Sequence, residues 1–174
     1  MTSAKFHAQT ERLTLRTPTS EDTIELAKLR STEFVMRYNL YKECDAEQIM
    51  WEIENYEHIL LIESKADKII GCISLRDDPI RYHVDSVSLH AWLIEEKAYS
   101  GYMAEAIREI IPILFLKYKI ISVQIFSENT ASIALAKKLG FKQEGFIKEA
   151  VKNANGQIFD LVLMSIEKSD GIKI

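Results

Sequence analysis

The stretch EEKAYSGYMAEAI, Glu95 to Ile107, joins an apolar, strand-like run to a long helix-like run. Its one glycine, Gly101, stands where a turn would let the chain enter that helix. Strand, turn and helix N-terminus in this order present free backbone N–H groups that suit a phosphate or another anion. The plainer reading is that Gly101 only ends a turn. Just upstream, Ser88 and His90 share one face of a strand. An imidazole with an unperturbed pKa of about 6.5 suits a base at neutral pH, although a half-exposed strand histidine needs no such role. His83 and Asp85, at the junction of this strand with the loop before it, are weaker candidates. Asn129 stands immediately before a helix start at Thr130, where asparagine is a good N-cap, and Ser132 follows within the first turn.

These residues need elements to position them. Leu13 to Thr17 alternates like a short strand and is broken by Pro18. Ser20 can cap a helix carrying Ile24, Leu26, Ala27 and Leu29, and Asp45 with Gln48 resembles a capping box opening a second helix through Tyr56. His58–Glu63 and Lys68–Leu75 read as a hairpin joined through Ala66-Asp67-Lys68. Val84 to Ile94 is the next strand, with Val87, Leu89, Ala91 and Leu93 on one face and Ser88, His90 and Trp92 on the other. A helix over 101–118 should be kinked by Pro112, which removes a backbone hydrogen bond. A buried strand over 120–126, a helix over 130–139 stopped by Gly140, and a hairpin of 141–151 with 157–168 around Asn155-Gly156 complete the chain. The order β-α-α-β-β-β-α-β-α-β-β predicts an α+β fold, a mixed, mostly antiparallel sheet of about seven strands with about four helices on its faces. One domain is expected over 1–174, with its core at about 12–168 and looser ends up to Ala8 and from Ser169.

Composition narrows the functional classes. The chain of 174 residues is 47% hydrophobic and 28% charged, with a formal net charge of −4. That balance, with no basic stripe, argues against a nucleic-acid partner. No apolar run reaches the length of a membrane span, and residues 1–12 carry no signal-peptide block. Cys44 and Cys72 match no metal or redox spacing and read as reduced thiols of a cytoplasmic protein; no metal site is expected. A nucleotide-dependent phosphotransferase is disfavoured, because no Gly-x-x-x-x-Gly-Lys-Ser/Thr sequence occurs.

The segment SENTASIALAKKLGFKQEG, Ser127 to Gly145, is similar to the Asn-x-x-Ser-Ile … Leu-Gly-Phe-x-x-Glu-Gly segment of the GNAT-superfamily N-acetyltransferases. It carries Asn129, Ser132, Leu139, Gly140, Phe141, Glu144 and Gly145 in place. ERLTLRTPTSED near the start, KIIGCISL, and the closing Asn155, Gly156 and Asp160 add support, so that the chain resembles the ribosomal-protein and spermidine acetyltransferase branch from about Arg12 to Lys168. The resemblance implies acetyl transfer from acetyl-CoA to an amine of a small molecule, peptide or protein N-terminus. It places the pantetheine arm in a gap between the strands over 84–94 and 120–126, against the backbone of Trp92, Leu93 and Ile94. The pyrophosphate is implied on Ala98, Tyr99, Ser100, Gly101, Tyr102 and Met103, where main-chain groups and a helix dipole hold it. Asn129 and Ser132 are implied cofactor contacts, and a backbone N–H near Leu93–Ile94 is implied to polarise the thioester carbonyl.

The chain departs from this pattern in three places. Of the loop Arg/Gln-x-x-Gly-x-Gly/Ala only Gly101 survives, with Ala98 and Met103 at the other two positions and Tyr99 where a further glycine is frequent. A weaker cofactor site is therefore expected, through lost freedom for positive φ. The tyrosine that many members use as the acid for the thiolate is replaced by Ala136, and the glutamate frequent in this branch by Ser88. That leaves Ser88, His90 and Asn129 as catalytic candidates, with Tyr38, Tyr41 and Glu43 near the amine site. The absence of a strong base favours low-pKa amines: an α-amine is about one-seventh neutral at pH 7, a lysine side chain only about four in ten thousand. The same departures motivate an alternative, a non-catalytic acyl-CoA sensor or interaction module. A homodimer through strand edges is a further expectation.

Overall fold

Seven consecutive buried residues in KIIGCISLR mark a strand covered on both faces, and it lies at the centre of the sheet. The computed structural model of the chain describes residues 6–40, 42–55, 58–66, 68–153 and 155–170. Its elements run β1 (His7–Gln9), β2 (Leu13–Arg16), α1 (Thr23–Arg30), α2 (Glu33–Arg37), α3 (Ala46–Asn55), β3 (Ile59–Ser64), β4 (Lys68–Arg76), β5 (Ser86–Leu93), α4 (Tyr102–Leu114), β6 (Ile120–Phe126), α5 (Thr130–Lys138), β7 (Lys142–Lys152) and β8 (Ile158–Glu167). They form one eight-stranded sheet in the order β1-β2-β3-β4-β5-β6-β8-β7. Every neighbouring pair is antiparallel except β5 and β6. This is an α+β fold, as expected, with one more strand and one more helix than the sequence reading resolved.

Each face of the sheet has its own core. Ile107, Ile110 and Ile111 of α4 and Ala136 of α5 pack on Ile73, Val87, Leu89, Ile121 and Val123. On the other face Leu26 and Ala27 of α1, Val35 of α2 and Ile49 of α3 pack on Leu61, Cys72 and Trp92. Each such fully buried aliphatic side chain is worth about 1.5–3 kcal/mol relative to exposure. Two anchors tie the chain start to these layers. Arg16 bridges Asp22 and Glu63, and the Glu105 carboxylate of α4 accepts from the Thr10 hydroxyl, from Arg12 N at 2.9 Å and from Arg12 Nε at 2.7 Å.

Several sequence expectations are corrected. Residues up to Ala8 are not loose from His7 onward, because β1 pairs with β2, a three-residue strand too short to show alternation. The five-residue α2 was also too short to carry a helical period. Thr19 with Asp22, rather than Ser20, opens the first helical turn, and Ile24 points outward at 76% exposure. The helix expected over 101–118 ends at Leu114, two residues beyond Pro112, and continues only as turns. Asp45 does accept from Gln48 N at 2.8 Å at the start of α3. Tyr41, Tyr56 and Asp67 lie outside the described residues.

Candidate functional site

The parallel pairing of β5 with β6 lasts three positions, Ser86↔Ile120, Val87↔Ile121 and Ser88↔Ser122. Beyond it the strands separate. β5 stays on β4 as far as Gly71↔Leu93, and β6 stays on β8 as far as Phe126↔Leu161. The alternation of an antiparallel ladder then fixes which main-chain groups face the opening. Ile94 N donates to Ile70 O at 2.8 Å, so the odd positions Ala91 and Leu93 turn their N–H and C=O groups away from β4. Ser127 N donates to Asp160 O at 3.0 Å, so Gln124 and Phe126 likewise turn theirs away from β8. Apart from Phe126 O, which accepts from Asn129 N at 2.8 Å, these main-chain groups face the wedge without a partner among the described residues.

A cleft of about 480 Å³ runs through this wedge from one face of the sheet to the other. On the α4/α5 face it is lined by Ala98, Tyr99, Gly101, Met103, Asn129, Ser132 and Lys138, and on the α1–α3 face by Phe34, Arg37, Tyr38, Asn39, Trp92 and Phe126. The loop entering α4 holds two left-handed residues, Tyr99 at φ 60° and Gly101 at φ 81°. No side chain caps α4, so the N–H groups of its first turn, Tyr102 to Ala104, point outward without intrahelical partners. A Cβ on Gly101 would meet nothing closer than Arg12 Nη2 at 3.5 Å, so it is the φ that favours glycine here. At Tyr99 the same kind of backbone is held by a tyrosine that is 85% exposed. The loop keeps its left-handed backbone at Tyr99 without a glycine, at the strain that a side chain carries at positive φ. Arg12 braces the loop, donating from Nη1 to Ser100 O at 3.1 Å and lying 4.2 Å from the Tyr102 ring centroid.

Under the wedge lie the polar side chains. Ser88 and His90 share a face as expected, with Ser88 Oγ 3.3 Å from His90 Nε2. Ser88 is completely buried and does not line the cleft; His90 does. Burial, reinforced by the positive charge of Arg76, pushes the His90 imidazole down to about 4. The basicity near 6.5 assumed from sequence is therefore corrected: His90 is neutral through the physiological range. Gln124 also lines the cleft, and its Nε2 is buried without a hydrogen-bond partner. Such an orphaned donor is costly unless a ligand uses it. Sequence reasoning missed Gln124, although a lone amide inside the apolar run IISVQIF was a signal.

The other expected residues divide. Asn129 accepts from Ser132 N at 3.1 Å, the N-cap arrangement, and both line the cleft. Trp92, Leu93, Ala98, Tyr99, Gly101 and Met103 line it as well, whereas Ile94, Ser100 and Tyr102 do not. Ile94 N is committed to Ile70, which removes it as a carbonyl-polarising donor and leaves Leu93. Ser100 Oγ turns back to Ala98 O at 3.2 Å. Ala136, at the tyrosine position, forms part of the cleft wall, and Tyr38 reaches the opposite face, edge-on to Phe126 at 6.4 Å. Asp85 pairs with Lys119 at 3.3 Å, away from the cleft, and neither His83 nor Glu43 lines it. Among the described residues no group of three or more His, Cys, Asp or Glu could hold a metal ion.

With this geometry in place, comparison with known proteins is direct. The profile of the acetyltransferase (GNAT) domain matches residues 12–142. The chain is similar in fold to ribosomal-protein-S5-alanine acetyltransferase from Vibrio fischeri (21% identity, 95% of this chain and 98% of that one, TM-score 0.82). It is similar to spermidine N-acetyltransferase from Vibrio cholerae in complex with CoA and spermine (21%, 92% and 98%, 0.80). A GNAT-family acetyltransferase from Bacillus anthracis is a further match (18%, 94% and 99%, 0.79). No curated protein sequence matches the chain. The chain belongs to the GNAT acetyltransferase domain family and is an N-acetyltransferase that transfers an acetyl group from acetyl-CoA to an amine.

Proposed function

We propose that this enzyme holds acetyl-CoA chiefly by main-chain groups and acetylates an α-amine or another amine of low pKa. The observation that carries the reading is the wedge: β5 and β6 part after Ser88↔Ser122 and expose backbone groups of Ala91, Leu93 and Gln124 and the N–H of Phe126 to a cleft that ends at the uncapped start of α4. Extended backbone suits an amide-bearing arm, and a helix start suits a pyrophosphate. The orphaned Gln124 Nε2 fits the same group, because a bound carbonyl would satisfy it.

Acetyl-CoA supplies the activated acyl group as a thioester. The chain's part is to bind, orient and polarise. Leu93 N–H and Gln124 Nε2 are donors at the cleft for a developing oxyanion. His90, neutral and within reach of Ser88, can relay a proton but is too weak a base to deprotonate a lysine ammonium. An α-ammonium, with a pKa of about 7.8, already supplies a usable neutral fraction at pH 7. The two free cysteines, Cys44 and Cys72, accord with a cytoplasmic setting. No observation favours the non-catalytic sensor.

The test is thiol release from acetyl-CoA with peptides bearing a free α-amine, the same peptides blocked at the N-terminus but carrying lysine, and polyamines. Faster turnover with free α-amines, by roughly tenfold or more in kcat/KM, is expected from the neutral fractions. Equal or faster turnover with blocked lysine peptides or polyamines would contradict the amine class. Binding without release across the whole set would contradict catalysis on these amines.

A further inference from the structure

We infer that the acceptor carries a carboxylate close to its reactive amine, and that Arg37 recognises it. The inference rests on the acetyl-transfer reading above and specifies its acceptor.

The chain holds 26 Asp and Glu residues and a net charge of −4, yet among the described residues no carboxylate lines the cleft. Among the described residues its only ionised lining groups are Arg37 and Lys138, since His90 is neutral. The two lie on opposite faces of the sheet. Lys138 is on α5, whose Ala136 packs in the core beneath α4, and α2, which carries Arg37, packs through Val35 on the other face. The α4 start and the α5 face suit the cofactor's phosphates, which leaves Arg37 as the single charge among the described residues at the acceptor mouth.

Arg37 is also uncommitted. It is exposed, and among the described residues no hydrogen bond or ion pair reaches it. Glu33, one turn earlier on α2, is not within ion-pair distance. The neighbouring polar group is engaged elsewhere, since Asn39 Nδ2 donates to Val35 O at 2.5 Å. A guanidinium offers a planar fork of five donors that matches a carboxylate bidentately, and here it stands beside the edge-on pair Tyr38–Phe126. A polyamine would bring its second ammonium to a mouth with one cation and no counter-charge, which selects against it. An α-amino acid or a peptide with an acidic residue near its N-terminus would instead place a carboxylate within a few ångströms of the attacking nitrogen. The mild overall acidity of the chain, which alone would suit a cationic acceptor, is therefore reversed at the site.

The experiment measures kcat/KM for the peptides Ala-Asp-Ala-amide, Ala-Asn-Ala-amide and Ala-Lys-Ala-amide, for free alanine and for spermidine. Wild type is compared with Arg37→Gln and Arg37→Glu, and acetyl-CoA affinity is measured by calorimetry alongside. The expected result is a preference for the Asp over the Asn peptide of roughly fivefold, with the Lys peptide and spermidine lower still. The preference should shrink as salt is raised. Arg37→Gln should level it and Arg37→Glu reverse it, with acetyl-CoA affinity unchanged. Free alanine outranking the Asp peptide would make the source of the carboxylate a small amino acid, and the opposite order would make it an acidic peptide; either supports the inference. A flat series, a preference for Lys or spermidine, a preference that survives both variants, or a loss of acetyl-CoA affinity with Arg37 would overturn it while leaving acetyl transfer intact. No transfer to any of the acceptors would overturn both readings.

Discussion

His90 and Gln124 are both half-buried and both line the cleft. The buried imidazole resists protonation until about pH 4, while in the unfolded chain it titrates near 6.5. The unfolded state therefore binds a proton first as pH falls. Its contribution to stability is present in full above about 6.5 and is lost between there and about 4. His90→Gln is expected to flatten the pH dependence of stability across that window, read by denaturant unfolding, without altering the carboxylate-driven loss at lower pH. The lowered carboxyls of Asp22, Asp78 and Glu105 govern that lower range. The kcat/KM profile should follow the acceptor amine and show no limb near 6.5; such a limb would mark His90 as the base after all. For Gln124→Leu the two readouts should diverge. Removing a buried donor with no protein partner should leave stability unchanged or raise it by up to about 1–2 kcal/mol, while kcat falls roughly 10- to 100-fold. Loss of stability with kcat intact would place Gln124 in the packing instead. At this scale the sequence carried the residue types but not their surroundings: Ser88 and His90 could be placed on one face by alternation, yet the Arg76 charge and the burial that suppress the imidazole come from folding.

The elements explain why the wedge opens where it does. Gly71 on β4 lies opposite Leu93, and a Cβ there would meet Trp92 O at 2.3 Å and Leu93 Cδ2 at 2.7 Å. Glycine lets the end of β5 close onto β4, which turns the Leu93 N–H toward the gap. Gly71→Ala should destabilise the protein by about 1–3 kcal/mol and lower kcat/KM for acetyl transfer, because β5 must shift by backbone rather than by a side chain. Normal kinetics in a destabilised variant would show that the end of β5 does not set the geometry. The long elements were legible because their periods are long: β3–β4 as a hairpin, β6 as a buried run, α5 with its Asn129 cap. β1 and α2 were not, since three and five residues give no period to detect. The parting of β5 from β6 is a failure of pairing between strands separated by the whole of α4, and no local pattern records it. Tyr99 shows the limit of motif reading in the other direction, since the loop keeps its left-handed turn with the expected glycine absent.

For the whole molecule, the sheet acts as a partition with a slot in it. One face carries α4 and α5 over the larger core, the other carries α1 to α3, and the cleft connects the two through the β5/β6 wedge. Cofactor and acceptor can therefore approach from opposite sides and meet at the divergence point, each on surfaces built by different segments of the chain. That separation accounts for a fold readable from strand and helix periods alongside an acceptor preference that is not, since Arg37 reaches the mouth only through the short α2. Amide hydrogen exchange followed by NMR, with and without acetyl-CoA, reads out whether main-chain donors hold the cofactor. Slowed exchange is expected at Ala91, Leu93, Gln124 and the first turn of α4, Tyr102 to Ala104, with little change at Trp92 and Ile94, whose N–H groups face β4. Saturating acetyl-CoA that leaves those amides exchanging as before, or protects a different part of the sheet, would contradict a main-chain hold on the cofactor.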